Sequence, residues 1–184
     1  VEQYVAEHGP KISSPVPVMP MGSGFSSMLT ESEVISRGLP SEGSYVLFVS
    51  TLEARKNHAF LLRVWRRLLS AGDEADVPTL VFAGRIGCLV RDLMQQFDNS
   101  DWLNGKVRLI SDPTDEELKH LYQNSLFIFF PSWSEGWGLP VSESLMMVVP
   151  CLASHATSIP EAGGQFARYF HPNTVTDAVE QIRT

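Results

Sequence analysis

Cysteine is nearly absent. The two residues present, Cys88 and Cys151, lie far apart in a chain of 184, so neither a disulfide framework nor a cysteine metal site is available, and a reducing, cytoplasmic setting is the simplest expectation. Positive charge is scarce as well: 14 Lys and Arg stand against 21 Asp and Glu, a formal net charge of −7. A surface that replaces the counterions of a nucleic acid needs clustered cations, so nucleic acid is not an expected partner. The one basic cluster, Arg63, Arg66 and Arg67 around Trp65, reads as the solvated face of a helix. No apolar run reaches the roughly 18 residues of a membrane span, and Val1–Pro10 lacks the basic start and apolar core of a signal peptide. The chain opens on VEQYVAEHG without an initiator Met, as expected of a piece of a longer protein. Internal repeats and low-complexity tracts are missing too. What is present is 43% apolar residues, enough for one α/β domain with its own core.

Short apolar runs with little alternation predict strands covered on both faces: Tyr45–Ser50, Thr79–Ala83, Val107–Ile110, Leu126–Phe130 and Cys151–Ala153, with Arg168–His171 as a sixth. Helical patterns fill the gaps at Ala59–Leu69, Leu89–Phe97, Asp115–Asn124 and Val141–Met147. Thr114 and Glu117 form a capping box for the third, while Asn57 and Pro140 suit the starts of the first and fourth. Strands separated by single helices imply an α/β fold: a Rossmann-like, doubly wound parallel sheet of about six strands. Residues 1–43 differ. SSPVPVMPMGSGF is too rich in proline for a central strand, and a capping box at Thr30 and Glu33 follows, so 1–43 reads as linker and lead-in and 44–184 as the domain.

Ligands of a doubly wound sheet bind beyond the carboxyl ends of its strands. The loop after the first strand, TLEARKNH, is not a G-x-G-x-x-G fingerprint, and Gly22 and Gly24 make only a turn. That loop does place Arg55 and Lys56 at a strand-to-helix junction, where two cations and a helix N-terminus favour an anion. The decisive stretch is FFPSWSEGWGLPVSES, residues 129–144. Pro131 stops a strand and Pro140 starts a helix, so Ser132–Leu139 is a loop at the ligand edge, carrying Glu135, with Glu143 in the first helical turn and seven residues between the two acids. Gly136 and Gly138 admit close backbone approach, and the amides of Gly138, Leu139 and Val141 are placed to face a phosphate. Each acid can accept two hydrogen bonds from a vicinal diol. Diols beside a diphosphate describe a nucleotide sugar.

With those residues in view, SEGWGLPVSES resembles the signature of the group 1 glycosyltransferases, retaining enzymes of GT-B fold whose members include bacterial polysaccharide mannosyltransferases. YVLFVSTLEARKNH, LVFAG, VRLISDPTDEELKHLY and SIPEAGG match along residues 16–184, which resemble the C-terminal, donor-binding half of that fold. The resemblance implies that Glu143 grips the ribose and Glu135 positions the donor sugar. It implies that Gly136, Trp137, Gly138 and Leu139 present amides to sugar and diphosphate, and that Lys56 neutralises the leaving diphosphate. Ile110 and Ser111 fall where the family holds the base through backbone. It implies partners too: a nucleotide-diphosphate sugar, with GDP-mannose indicated by closeness of motif, an N-terminal domain of the same chain, and a saccharide or lipid-linked acceptor. No cofactor and no divalent metal is then required; Asp98 and Asp101 lie in a turn beyond a helix. The resemblance also leaves open peripheral contact with the inner face of a membrane.

Three positions depart from the family pattern. Thr51 stands where an arginine is frequent, with Arg55 expected to supply that charge. Trp137 replaces the usual Phe. Val148 occupies a position usually held by glycine, and because a β-branched residue resists left-handed backbone, the signature helix is expected to end differently. The other expectations are plain: His58 and His120 on helix surfaces, His155 and His171 in loops, Leu145, Met146 and Met147 in the core. A non-catalytic nucleotide-sugar-binding module, or a GT-B sugar-nucleotide epimerase, is the alternative to a transferase.

Overall fold

The structure, a computed structural model, describes residues 38–72, 74–87 and 90–183. The proline-rich lead-in, the Thr30–Glu33 capping box, Gly22, Gly24 and Cys88 lie outside the described residues. Six strands form one sheet: β1 (Tyr45–Val49), β2 (Thr79–Gly84), β3 (Val107–Ser111), β4 (Ile128–Phe130), β5 (Cys151–Ser154) and β6 (Arg168–Phe170). Their order is β3-β2-β1-β4-β5-β6 and every pairing is parallel, so the predicted Rossmann-like fold is what forms. The chain winds outward through β2 and β3, returns beside β1 as β4, and winds the other way. The topological switch point therefore lies between β1 and β4, where loops diverge and leave a crevice at the carboxyl edge.

Apart from a four-residue turn at Asp101–Asn104, the α-helices among the described residues are α1 (His58–Ala71), α2 (Arg91–Asn99), α3 (Asp115–Asn124), α4 (Leu139–Met146), α5 (Ile159–Gly163) and α6 (Val175–Arg183). The run FLLRVWRRLL in α1 buries Phe60, Leu61, Leu62, Val64, Trp65 and Leu68 and leaves Arg63, Arg66 and Arg67 in solvent, as the basic cluster led one to expect. Trp65 satisfies its one polar atom by donating from Nε1 to the Pro78 carbonyl at 2.9 Å. Phe60 stacks on Phe170 of β6 at 5.6 Å, tying α1 to the far wing of the sheet. α6 packs on α1 and buries Ala178 and Val179; Val175, Ala178, Val179 and Ile182 form a helical stripe, a helix absent from the sequence-based expectation.

α3 begins with the expected reciprocal capping box, the Glu117 amide donating to Thr114 Oγ1 and the Thr114 amide to Glu117 Oε2. Asn57 does occupy the N-cap of α1, at φ 63, yet its side chain makes no cap bond. Its Nδ2 donates instead to the carbonyls of Pro131 at 3.1 Å and Pro172 at 3.2 Å, joining the loops that follow β1, β4 and β6. Gly84, at φ 148, closes β2 where a Cβ would overlap the Ser50 carbonyl, so glycine is required for β1 and β2 to stay together up to the ligand edge.

The end of α4 corrects one expectation. Val148 does adopt left-handed backbone, at φ 60, and the helix closes with the bonds of a Schellman motif, Val149 N–H to Ser144 O at 2.9 Å and Val148 N–H to Leu145 O at 3.1 Å. Hydrogen bonding and the burial of Val149 at 6% exposure hold the turn despite its valine. Left-handed backbone costs a residue with a Cβ about 1–2 kcal/mol. Val148 is 90% exposed and contributes little packing in return. Val148→Gly should therefore stabilise the domain by about 1 kcal/mol after the entropy of glycine is counted, read as a thermal midpoint raised by about 2–4 °C.

Candidate functional site

The loop after β1 folds into a single 3-10 turn, Ala54–Lys56, whose two cations reach across to the loop after β4. Lys56 Nζ lies 2.6 Å from Glu135 Oε1 and Arg55 Nη1 lies 3.0 Å from Glu135 Oε2. Each carboxylate oxygen thus has its own cation. Backbone bonds reinforce the contact, with the Trp133 amide donating to the Arg55 carbonyl at 3.0 Å. Lys56 and Glu135 have side chains only 11% and 9% exposed, whereas Arg55 is half in solvent and also pairs with Glu53 at 3.1 Å. Burial alone would raise the Glu135 carboxyl; the hydrogen bonds and charge of Lys56, with Arg55 beside it, outweigh that and hold it below the usual carboxylate range. Glu135 is an anion at neutral pH and has no proton to give.

Beside this triad opens a cleft of about 540 Å³ lined by Lys56, Glu135, Gly136, Trp137, Gly138, Leu139 and Pro140. Gly138, at φ 98, is the N-cap of α4, so the helix starts two residues earlier than its pattern suggested and its positive end faces the cleft. A Cβ on Gly136 would meet no atom within 4 Å, which leaves backbone bare toward the open space. The Val141 amide is not free for a ligand, because it donates to the Gly138 carbonyl at 2.9 Å; the mouth of the helix belongs to Gly138 and Leu139. Trp137 is turned back onto its own helix, Nε1 donating to Ser142 Oγ at 3.0 Å.

The second acid sits apart from the first. Glu143 lies on α4 outside the lining of that cleft, and its Oε2 accepts a hydrogen bond from the Tyr122 phenol of α3 at 2.7 Å. Thr51, Ile110 and Ser111 stand at or just beyond the carboxyl ends of β1 and β3, with Ser111 paired to Gly84 across the sheet, and they too are outside the cleft lining. Sequence spacing therefore brings Arg55, Lys56, Glu135 and residues 136–139 into one place and distributes the rest along the same edge. Arg85 and Asp112 form an exposed ion pair at 2.8 Å over the ends of β2 and β3.

The sequence profile of the family described as glycosyl transferases group 1 matches residues 30–184. The chain belongs to this family. It is 33% identical over 135 residues to the O-antigen chain mannosyltransferase B of Escherichia coli, covering 73% of this chain and 34% of that protein. It is 26% identical over 194 residues to the serotype-specific mannosyltransferase WbdA of the same organism, covering 98% of this chain and 23% of that one. The chain spans between 23% and 38% of the length of the curated relatives it matches. Among solved structures, sucrose-phosphate synthase from Thermosynechococcus elongatus superimposes with a TM-score of 0.72 at 18% identity, over 99% of this chain and 46% of that one. Anabaena Alr3699/HepE in complex with UDP-glucose gives 0.65 at 16% identity, over 85% and 43%. At such identities the likeness is one of fold, the GT-B half.

Within this group 1 glycosyltransferase chain, three residues to which sequence spacing gave no role at the site, Thr157, Ser158 and Tyr122, fix the two acids. The Glu135 amide donates to Thr157 Oγ1 at 3.0 Å and Ser158 Oγ donates to the Glu135 carbonyl at 2.8 Å, so the loop after β5 clamps the loop after β4. Thr157 makes that contact from a left-handed backbone at φ 47, an unfavourable state for a β-branched residue. Tyr122 holds Glu143, and Asn57 ties the loops together. His58 is a correction. It is not on a helix surface but 1% exposed, between the rings of Phe48 and Phe82 at 4.7 and 5.0 Å, with Nε2 3.1 Å from Ser50 Oγ. His120 is partly buried against Asn124, while His155 and His171 are exposed. Asp98 accepts from Trp102 Nε1 at 3.2 Å, and among the described residues no group of three or more His, Cys, Asp and Glu could hold a metal. No helix among them is long and apolar enough to cross a membrane.

Proposed function

We propose that this chain is the donor-binding half of a retaining glycosyltransferase that moves a hexose, mannose from GDP-mannose, onto a saccharide or lipid-linked acceptor held by an N-terminal domain of the same protein. The observation that carries the reading is the convergence of Arg55 and Lys56 on Glu135 beside an open cleft at the N-terminus of α4. The diphosphate would lie against Lys56, Arg55 and the amides of Gly138 and Leu139, with the sugar at Glu135 and Gly136. From there the nucleoside would run along the sheet edge toward Glu143, with Thr51, Ile110 and Ser111 beside ribose and base. The mannosyltransferase relatives support the sugar, and a neighbour bound to UDP-glucose supports a nucleotide-sugar donor.

In transfer, the bond from the anomeric carbon to the β-phosphate oxygen breaks and negative charge collects on the departing diphosphate. Preorganised cations and a helix N-terminus stabilise that charge more than the ground state. The acceptor oxygen attacks from the face the phosphate leaves, and its proton passes to the leaving phosphate oxygen. Glu135, bonded to two cations, is a poor nucleophile and is suited to orienting sugar hydroxyls; a trapped glycosyl-Glu135 adduct would overturn this route.

Calorimetric titration of the chain with GDP, UDP, ADP and dTDP, repeated on Glu143→Ala, tests the site. One nucleotide should bind in preference, and Glu143→Ala should weaken it about tenfold, the worth of a hydrogen bond to a charged group. Failure of every nucleotide to bind would leave only the fold in common with the family's transferases.

A further inference from the structure

Glu143 is not a loose carboxylate awaiting a ligand. The phenol that holds it belongs to Tyr122, whose side chain is fully buried on α3, and the bond is short at 2.7 Å. Burial, with the negative charge of Glu143 added, pushes the phenol proton affinity well up, so the hydroxyl stays protonated and the direction of the bond is fixed: Tyr122 donates, Glu143 accepts. A carboxylate has two oxygens with about four lone-pair sites. Tyr122 uses one of them on Oε2 and leaves Oε1 and the second site on Oε2, two adjacent acceptors with the spacing that a vicinal diol can bridge. A glutamate side chain that is already held loses less rotamer freedom on binding, which is the general source of affinity in preorganised sites.

We propose that Tyr122 is a positioning residue that presets Glu143 for a 2′,3′-diol and so restricts the donor to ribonucleoside diphosphate sugars, excluding those built on 2′-deoxynucleosides such as dTDP. The inference rests on the reading of Glu143 as the ribose ligand. It also gives that acid a reason for standing apart from the cleft at Glu135, because a ribose lies a diphosphate's length away from the transferred sugar. A 2′-deoxyribose offers one donor where the held carboxylate presents two acceptors, and one acceptor is left without its partner.

The test is calorimetry on this chain with two pairs of probes, GDP against 2′-deoxy-GDP and UDP against 2′-deoxy-UDP. The wild type should prefer the ribonucleotide about tenfold or more. Tyr122→Phe, which removes one oxygen, should shrink that preference to about two- to threefold while leaving affinity for the deoxynucleotide nearly unchanged. A merely structural role for Tyr122 would weaken both nucleotides alike and leave the ratio intact; that result overturns the proposal and leaves Glu143 as ribose ligand. A wild type with no ribo preference overturns the Glu143 reading and the proposal together. Should Tyr122→Phe not fold, Glu143→Asp keeps the charge but withdraws the carboxylate from the phenol. It should lose the preference in the same way, and its retention would equally sink the idea.

Discussion

On the proposed donor site, Lys56→Ala in the intact enzyme should lower kcat by about 10²–10³-fold, the usual loss when one preorganised group that stabilises transition-state charge is removed. Lys56 is the buried member of the cation pair, and a charge held in a water-poor site is worth more to a departing diphosphate than the solvent-facing Arg55. Arg55→Ala should accordingly cost less, through weaker donor binding and a raised KM. The Lys56 loss needs separating from simple damage, because the same substitution strips Glu135 of its closer partner. Pairing it with Glu135→Ala makes the separation. Lys56→Ala leaves Glu135 Oε1 without its cation and only Arg55 on Oε2, whereas the double variant has no carboxylate there to satisfy, so it should regain stability relative to Lys56→Ala by a double-mutant cycle. Transfer should stay low. Activity recovering together with stability would mean that Lys56 acts only as a strut for Glu135, and the leaving-group role would have to pass to another residue.

The same triad explains what could and could not be read from the chain beforehand. Strands β1, β2, β4 and β5 were visible because parallel strands covered on both faces are short, uninterrupted apolar runs, and LFV, VFA and IFF leave little room for another assignment, whereas the outer strands β3 and β6 carry Arg108 and Arg168 and are less distinct. The loop from Ser132 to Leu139 was bounded by two prolines and placed at the ligand edge by topology alone. Lys56 and Glu135 are thereby both expected at the ligand edge, while the ion pair between them is what the structure adds. The Thr157 and Ser158 clamp was not legible, because hydroxyls reaching a backbone from a different strand's loop leave no spacing in sequence. Tyr122 was hidden for a related reason: on an amphipathic helix it reads as one more core aromatic, and only the packing of α3 beside α4 gives its oxygen a partner. Val148 failed in the opposite sense. Local propensity argued against left-handed backbone, and the two closing hydrogen bonds of the helix with the burial of Val149 overrode it.

His58 should make the fold acid-labile well above the range in which its carboxylates titrate. Burial, reinforced by the positive charge of Lys56, pushes the imidazole down to about 3, whereas the unfolded chain takes its proton near 6.5. Between those values the unfolded state binds one more proton than the native state, so protons favour unfolding. The stability that neutral His58 supports is complete above pH 6.5 and is lost as pH falls toward 3. The slope approaches about 1.4 kcal/mol per pH unit, so urea denaturation should show about 2 kcal/mol lost between pH 6.5 and 5. Glu135 has the same sign in a different window: its carboxyl is held below 4.5, so its contribution is intact above that pH and declines only beneath it. His120, also lowered by partial burial, adds a smaller slope in the upper window. His58→Gln separates these contributions. It keeps a side chain able to bond Ser50 and cannot titrate, so whatever it costs at pH 7 the variant should lose much less than the wild type between pH 6.5 and 5. A wild-type profile already flat there would mean that the packed imidazole accepts its proton where it stands, with Ser50 and the surrounding rings yielding enough to solvate it.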